Sequence, residues 1–400
     1  MKSGPLRILA LINLPWDSRL GASRVWIELT KEWERAGHIV EKYCLTDAYP
    51  RPPASRAGSA FRQILFPRKA AAYVRANAHR FDVIDCLIGT LPFSKSSLHF
   101  HGLAVARSVG LFRLYDRFLR LASPPSPAQS KGRWFGRIFH RLIEWRARRD
   151  CERSLRTCDL LNLPNEDERA EIGRDRSLRA TSIVEPYGLS DEFLESLAAA
   201  AAPAAVRLPR QKICFVGMWG PRKGSREWPR IVSAIWERYP KTEFLFLGTM
   251  FDEAVVRADL GLSETRRITC RATFTGAELP SLLADCTLGI FPSHIEGFGL
   301  AVLEQLAAGL PTIAYDVPGP RQILHSQRDR LLTRIGDVSA IAERASQVFS
   351  LKVAEYEALS ANCVAIARGY RWRKIAENTI RRYRAALESL DPNAVREENG

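Results

Sequence analysis

Long apolar runs are missing from this chain of 400 residues. No stretch approaches the roughly 20 apolar residues of a membrane-spanning helix, and the run Ile8 to Ile12 is shorter than a signal-peptide core and gives way to Asn13. Cysteine is scattered: of eight, the closest pair is Cys151 and Cys158, so neither a zinc-ligand spacing nor a small-domain disulfide framework is present. Such a chain reads as soluble and cytoplasmic, with free thiols at Cys44, Cys86 and Cys214 inside strand-like runs. An Asp-x-Asp triad is absent, which removes one carboxylate anchor for a divalent ion, so no metal is expected. The first strand-to-helix turn, from Asn13 through Gly21-Ala22-Ser23-Arg24, lacks the glycine spacing of a dinucleotide fingerprint, which argues against nicotinamide chemistry.

Acids are also in deficit, with 59 Lys+Arg against 44 Asp+Glu and a net charge of +15, which implies an acidic partner. The excess is concentrated between His101 and Leu160, where thirteen Lys/Arg face five acids for a net of +8. Trp134, Phe135, Ile138, Phe139, Leu142 and Trp145 recur there at helical spacing among arginines. The segment Arg133 to Arg149 therefore reads as a basic amphipathic helix suited to an anionic membrane surface. The plainer alternative packs the aromatics inward and leaves the arginines as a solvated face. No nucleic-acid-binding motif accompanies the charge, so no nucleic-acid partner is expected.

What is present points to two α/β domains. The length exceeds what one core usually serves, and strand-like runs alternate with helical patterns from end to end. The reading is two Rossmann-like parallel-sheet domains: residues 1–197 from the strand at Leu6 to Ile12, an Ala- and Pro-rich linker at 198–209, and residues 210–370 from the strand Lys212 to Val216. Residues 371–400 form a final helical segment and tail.

Glu296 and Glu304 frame the most informative stretch. Leu288-Gly289-Ile290-Phe291 reads as a buried parallel strand, Pro292 to Gly297 as the loop beyond it, and Leu300 to Ala308 as a helix closed by Gly309. In a βαβ unit that loop faces the ligand crevice, and the helix start offers free N–H groups to a phosphate. An acid at the loop tip suits sugar hydroxyls. Glu304 stays open between a ribose contact and an acid favoured by the helix dipole. Upstream, Gly217-Met218-Trp219-Gly220-Pro221-Arg222-Lys223-Gly224 places cations at a glycine-rich strand-to-helix turn, which suits a diphosphate.

The string Phe291-Pro292-Ser293, Glu296-Gly297-Phe298-Gly299-Leu300, Glu304, Gly309-Leu310-Pro311 and Asp316-Val317-Pro318-Gly319 closely resembles the carboxyl-terminal signature of the retaining glycosyltransferases of family 4. The resemblance implies the GT-B fold, with the two domains facing a central cleft and the last helix crossing back to the first domain. It implies a nucleoside-diphosphate sugar donor and no other cofactor, with transfer of the sugar to a hydroxyl acceptor with retention. The acceptor read with it is a lipid or lipid-linked glycan at the inner membrane face. Glu296 is implied at sugar hydroxyls, Glu304 at ribose, Lys223 at phosphate, with Gly297, Phe298, Gly299 and Leu300 lining the donor. Gly21 resembles the family's amino-terminal glycine-rich loop, and His101-Gly102-Leu103 resembles its first-domain histidine segment, whose histidine contacts the donor sugar. The family carries an arginine where this chain has Met218, with Arg222 the candidate substitute. The rival readings are a nucleotide-sugar epimerase or hydrolase of similar fold, and a non-catalytic nucleotide-sugar binder associated with membranes.

Overall fold

A computed structural model of the chain describes residues 4–53, 55–122, 134–261 and 266–390, with side chains described for all of these except 56, 57, 119–122 and 134–140. It divides into two compact units, Met1–Pro186 with Arg373–Gly400, and Tyr187–Trp372. Each is built on a parallel six-stranded sheet.

In the first unit the strands are β1 (Arg7–Ile12), β2 (Ile39–Cys44), β3 (Val83–Leu87), β4 (Leu103–Arg107), β5 (Leu160–Leu163) and β6 (Thr181–Val184), in the order β2-β1-β3-β4-β5-β6. From Ile8 onward every residue of β1 is fully buried, as a strand covered on both faces requires. A closed polar cluster lies within this core. Arg107 at the end of β4 forks onto Asp85 in the middle of β3, with Nη2 to Oδ2 at 2.7 Å, and donates to Tyr383 Oη at 2.9 Å. Tyr383 donates back to Asp85, and Trp26 Nε1 donates to its Oδ1 at 3.1 Å. Tyr383 lies on the carboxyl-terminal helix Trp372–Leu390, so this cluster fastens the end of the chain to the first sheet. Both charges are fully buried, so losing either partner would strand the other at a cost of about 3–5 kcal/mol.

In the second unit the strands are β7 (Lys212–Val216), β8 (Glu243–Leu247), β9 (Ile268–Arg271), β10 (Leu288–Phe291), β11 (Thr312–Tyr315) and β12 (Leu332–Thr333), in the order β12-β11-β10-β7-β8-β9. The stretch 198–209, expected as a linker, belongs to this unit and is helical except at 201–203, which join Asp191–Ala200 to Ala204–Arg210. Alanine is the best helix former, Ser190 caps the first helix by accepting from Phe193 N, and Pro203 precedes the second. The division instead falls between Pro186 and Tyr187.

A second expectation also changes. The segment Ser97–Gly102, read as a strand, holds a short helix, Lys95–Leu98, closed by His99 in the left-handed region at φ 52°. Gly102 then passes so close to Asp82 that an added Cβ would lie 2.2 Å from its carbonyl oxygen, and β4 starts only at Leu103. Among the described residues no helix is long and apolar enough to cross a membrane.

One buried acid of the first unit makes stability pH-dependent. Glu168 accepts from Ser108 Oγ at 2.6 Å and Leu111 N at 3.0 Å, and burial pushes its carboxyl up to about 7. Between its ordinary value and about 7 the folded protein holds a proton that the unfolded chain has released. Its stabilisation is therefore complete below the ordinary value and lost as pH rises through about 7. Denaturant melts at pH 5 and pH 8 should show wild type losing about 2–3 kcal/mol more than Glu168→Gln across that interval. Parallel pH slopes would mean that the carboxyl is ionised in the folded state.

Candidate functional site

The strand order of the second sheet reverses between β10 and β7. Loops leaving the carboxyl ends of strands on either side of such a reversal part from one another and leave a crevice. The two loops that do so here carry the cations and the acid singled out from the sequence.

The loop after β7 begins by extending the β7–β8 ladder, with Gly217 N donating to Leu247 O and Trp219 N to Thr249 O, both at 2.9 Å. It then closes into the tight turn Pro221–Lys223, ended by Gly224 at φ 82°. A side chain is excluded at Gly224 twice over, by that φ and because a Cβ would lie 2.4 Å from Pro292 O on the other loop. The loop after β10 runs from Pro292 to Gly299, where a φ of 95° starts the helix Leu300–Ala307. Val302 N donates to Gly299 O at 2.8 Å, so the amides before it lie at the open amino end of the helix.

Lys223 and Glu296 meet across the two loops in a hydrogen-bonded ion pair, and Arg222 Nη1 lies 3.8 Å from the same Glu296 Oε2. Arg222 Nη1 also reaches Ile295 O at 3.4 Å, and its carbonyl accepts from His294 N at 2.9 Å. Burial holds the Lys223 ammonium below its ordinary value; Glu296 opposes that shift and Arg222 adds to it. The ammonium also stands 4.5 Å from the centre of the Phe291 ring. Glu304, buried in the second turn of the helix, leans toward the helix's amino end as helical side chains do. The side chain of Phe298 is buried edge-on against Tyr187 and Tyr370, with ring centres 5.5 and 5.6 Å away, so this residue offers the crevice its backbone only.

Lys223, Arg222, Glu296, Gly297, Phe298, Gly299, Leu300 and Glu304 thus converge on one edge of one sheet. Two residues lie in the first unit. Gly21 opens the helix Gly21–Arg35 beyond the carboxyl end of β1, at the edge where that sheet's order also reverses. His101 is exposed and precedes β4, at its amino end, and the parallel strands put it on the edge opposite Gly21. The strand read over Ser97–Gly102 begins instead at Leu103. The sequence reading passed over Glu227 and His294, whose side chains meet at 2.7 Å across the same two loops. The signal was there: Glu227 follows Lys223 by one helical turn, and His294 precedes Glu296 by one strand repeat.

The crevice wall should not tolerate a side chain at its closest approach. Gly224→Ala should cost about 1–3 kcal/mol in a denaturant melt, whereas Gly21→Ala, with nothing within 4 Å of the added carbon, should stay within about 0.5 kcal/mol. Equal stability of the two variants would show that the loops separate readily at Pro292.

Comparison with known proteins agrees with this geometry. Residues 210–351 match the family model described as Glycosyl transferases group 1. A GDP-mannose:cellobiosyl-diphosphopolyprenol alpha-mannosyltransferase of Xanthomonas campestris is 27% identical over 200 residues, 46% of this chain and 50% of that protein. The chain spans about half the length of the curated relatives it matches. Among solved structures, sucrose-phosphate synthase from Thermosynechococcus elongatus superposes with a TM-score of 0.69 at 18% identity, covering 96% of this chain and 100% of that one. Anabaena HepE in complex with UDP and glucose gives 0.64 at 14% identity, covering 95% and 100%. Residues 210–351 thus carry a Glycosyl transferases group 1 domain, and the two parallel six-stranded sheets give the chain the GT-B fold of these glycosyltransferase structures.

Proposed function

We propose that the protein transfers a sugar from a nucleoside-diphosphate sugar to a hydroxyl acceptor, with retention at the anomeric carbon and without a metal ion. The observation that carries this reading is the convergence of Lys223, Arg222, Glu296 and a helix amino end at the strand reversal of the second sheet. Two adjacent cations and the amino end of a helix suit the charge that develops on a leaving diphosphate, and they are held in place before it forms. Glu296 holds sugar hydroxyls and Glu304 the ribose. Retention follows a same-face displacement in which the departing phosphate accepts the proton of the acceptor hydroxyl. The relative from Xanthomonas is named for GDP-mannose and a polyprenol-linked acceptor, and HepE was solved with UDP and glucose, which supports a nucleotide donor.

The acceptor in this reading is lipid-linked and met at an anionic membrane face. Support comes from the helix Trp134–Thr157 of the first unit; Arg133 lies outside the described residues. Leu142 and Trp145 are exposed on it, with the Arg149 guanidinium 5.3 Å from the Trp145 ring centre. Apolar residues left in solvent beside arginines are what an interfacial helix presents. Part of its charge is used internally, because Arg146 pairs with Asp150 and Arg148 with Asp116, each at 3.0 Å.

Glu296→Gln and Glu304→Gln should each lower transfer by about 10- to 100-fold, the worth of a charged hydrogen bond, with the fold intact. Near-normal kinetics in both would remove their assigned roles. Transfer should continue in excess chelator and release a nucleoside diphosphate. Activity lost with chelator and restored by a divalent ion would replace the cation reading with a metal-assisted one.

Binding to vesicles containing anionic lipid should weaken with salt and with Trp145→Ala/Arg149→Glu, since each basic residue near such a surface contributes about 1 kcal/mol. Equal binding to neutral vesicles would leave a solvated helix face instead.

A further inference from the structure

The two loops of the crevice are joined by two side-chain contacts of opposite sense. On the β7 loop the cation Lys223 and the acid Glu227 lie four residues apart, one turn along the backbone. On the β10 loop the acid Glu296 and His294 lie two apart, one repeat of an extended chain. Lys223 faces Glu296 and Glu227 faces His294. The second contact is well supported. His294 Nε2 stands 2.7 Å from Glu227 Oε1, His294 N donates to Arg222 O at 2.9 Å, and the ring packs edge-on to the buried Tyr315, with centres 5.6 Å apart. Glu227 N donates to Gly224 O at 3.0 Å, and Glu227 immediately precedes the helix Trp228–Arg238. The strap therefore links the tight turn at Gly224, the start of that helix and the base of the acidic loop.

We propose that His294 and Glu227 are positioning residues: their contact is the permanent fastener that keeps the two loops in register while Lys223 exchanges Glu296 for the donor's diphosphate. The inference rests on the nucleotide-sugar reading of this crevice. Its physical basis is the difference between the two contacts. A diphosphate competes with Glu296 for Lys223, because both are anions seeking one ammonium. It has no such claim on Glu227, which it repels. An acid this near a phosphate site is repelled by the incoming anion unless it is held in place, and His294 holds its Oε1, while its Oε2 is buried without a hydrogen-bond partner. When the first contact is exchanged, the second holds the turn 221–224 against Pro292, where the close approach of Gly224 leaves little slack.

Calorimetric titration with UDP and with GDP tests this, alongside thermal melts of the ligand-free proteins. His294→Ala and Glu227→Ala should each weaken binding of whichever nucleotide the wild type binds by about tenfold, and the double variant should be no weaker than either, because both remove one contact. His294→Gln, which keeps a donor toward Glu227, should remain within about threefold of wild type. A lower melting temperature in His294→Ala with the nucleotide Kd unchanged would show a packing role only and overturn the proposal while leaving the diphosphate site standing. Additive losses in the double variant would overturn it as well. A wild type that binds neither nucleotide would overturn the donor reading itself, and the strap with it.

Discussion

A lysine ammonium taken out of water must find a counter-charge or give up its proton, and at the carboxyl edge of the second sheet that requirement is met by Glu296. The rest of the crevice is arranged to let the two meet. Gly224 adopts a left-handed conformation and comes against Pro292 without a side chain. Gly319 does the same against Phe298, where a Cβ would lie 2.2 Å from the carbonyl oxygen. Both glycines serve the acidic loop: one lets the cationic turn approach, the other seats the residues that start the helix. The pair stands at the sheet edge, where the strand order reverses, so its charges are concentrated but still accessible.

The first unit solves the same electrostatic problem to a different end. Asp85 and Arg107 are completely enclosed, and Trp26 and Tyr383 add hydrogen bonds to the pair. An enclosed pair of this kind adds little net stability over a well-packed apolar cluster, but it penalises any arrangement that leaves one member alone. Tyr383 comes from nearly 300 residues further along the chain, so the pair rewards one placement of the carboxyl-terminal helix. Burial makes the Asp85 pair structural. Access makes the Lys223 pair available to a ligand.

How far the sequence could be read depended on the range of the interactions involved. The strands, the helix Leu300–Ala307 and the glycine turns at 217–224 and 297–299 are set by neighbours within a few residues, and apolar runs and glycine spacing reported them. The stretch 198–209 misled because alanine and proline together resemble a linker in composition; the cap at Ser190 and the buried Arg207 that make it helical are positional facts. The segment Ser97–Gly102 misled because its apolar residues read as strand, while it holds a short helix and β4 starts only at Leu103, beyond the close approach of Gly102 to Asp82. The strap between His294 and Glu227 spans 67 residues of sequence, so the local spacing that sets each residue beside Lys223 or Glu296 does not reveal that the two pair.

Met218 is where the crevice departs from the expected motif, and the geometry indicates why an apolar residue is compatible with an anion site there. The backbone on either side of it is fixed by the β7–β8 ladder, through Gly217 and Trp219, and its side chain is half-exposed, so the fold makes no demand on its chemistry. A second cation, Arg222, stands next to Lys223 and is directed at the same carboxylate. Two neighbouring cations sharing one acid repel each other, and Arg222 accordingly adds to the depression of Lys223. A dianion entering the crevice would relieve that repulsion at both residues at once.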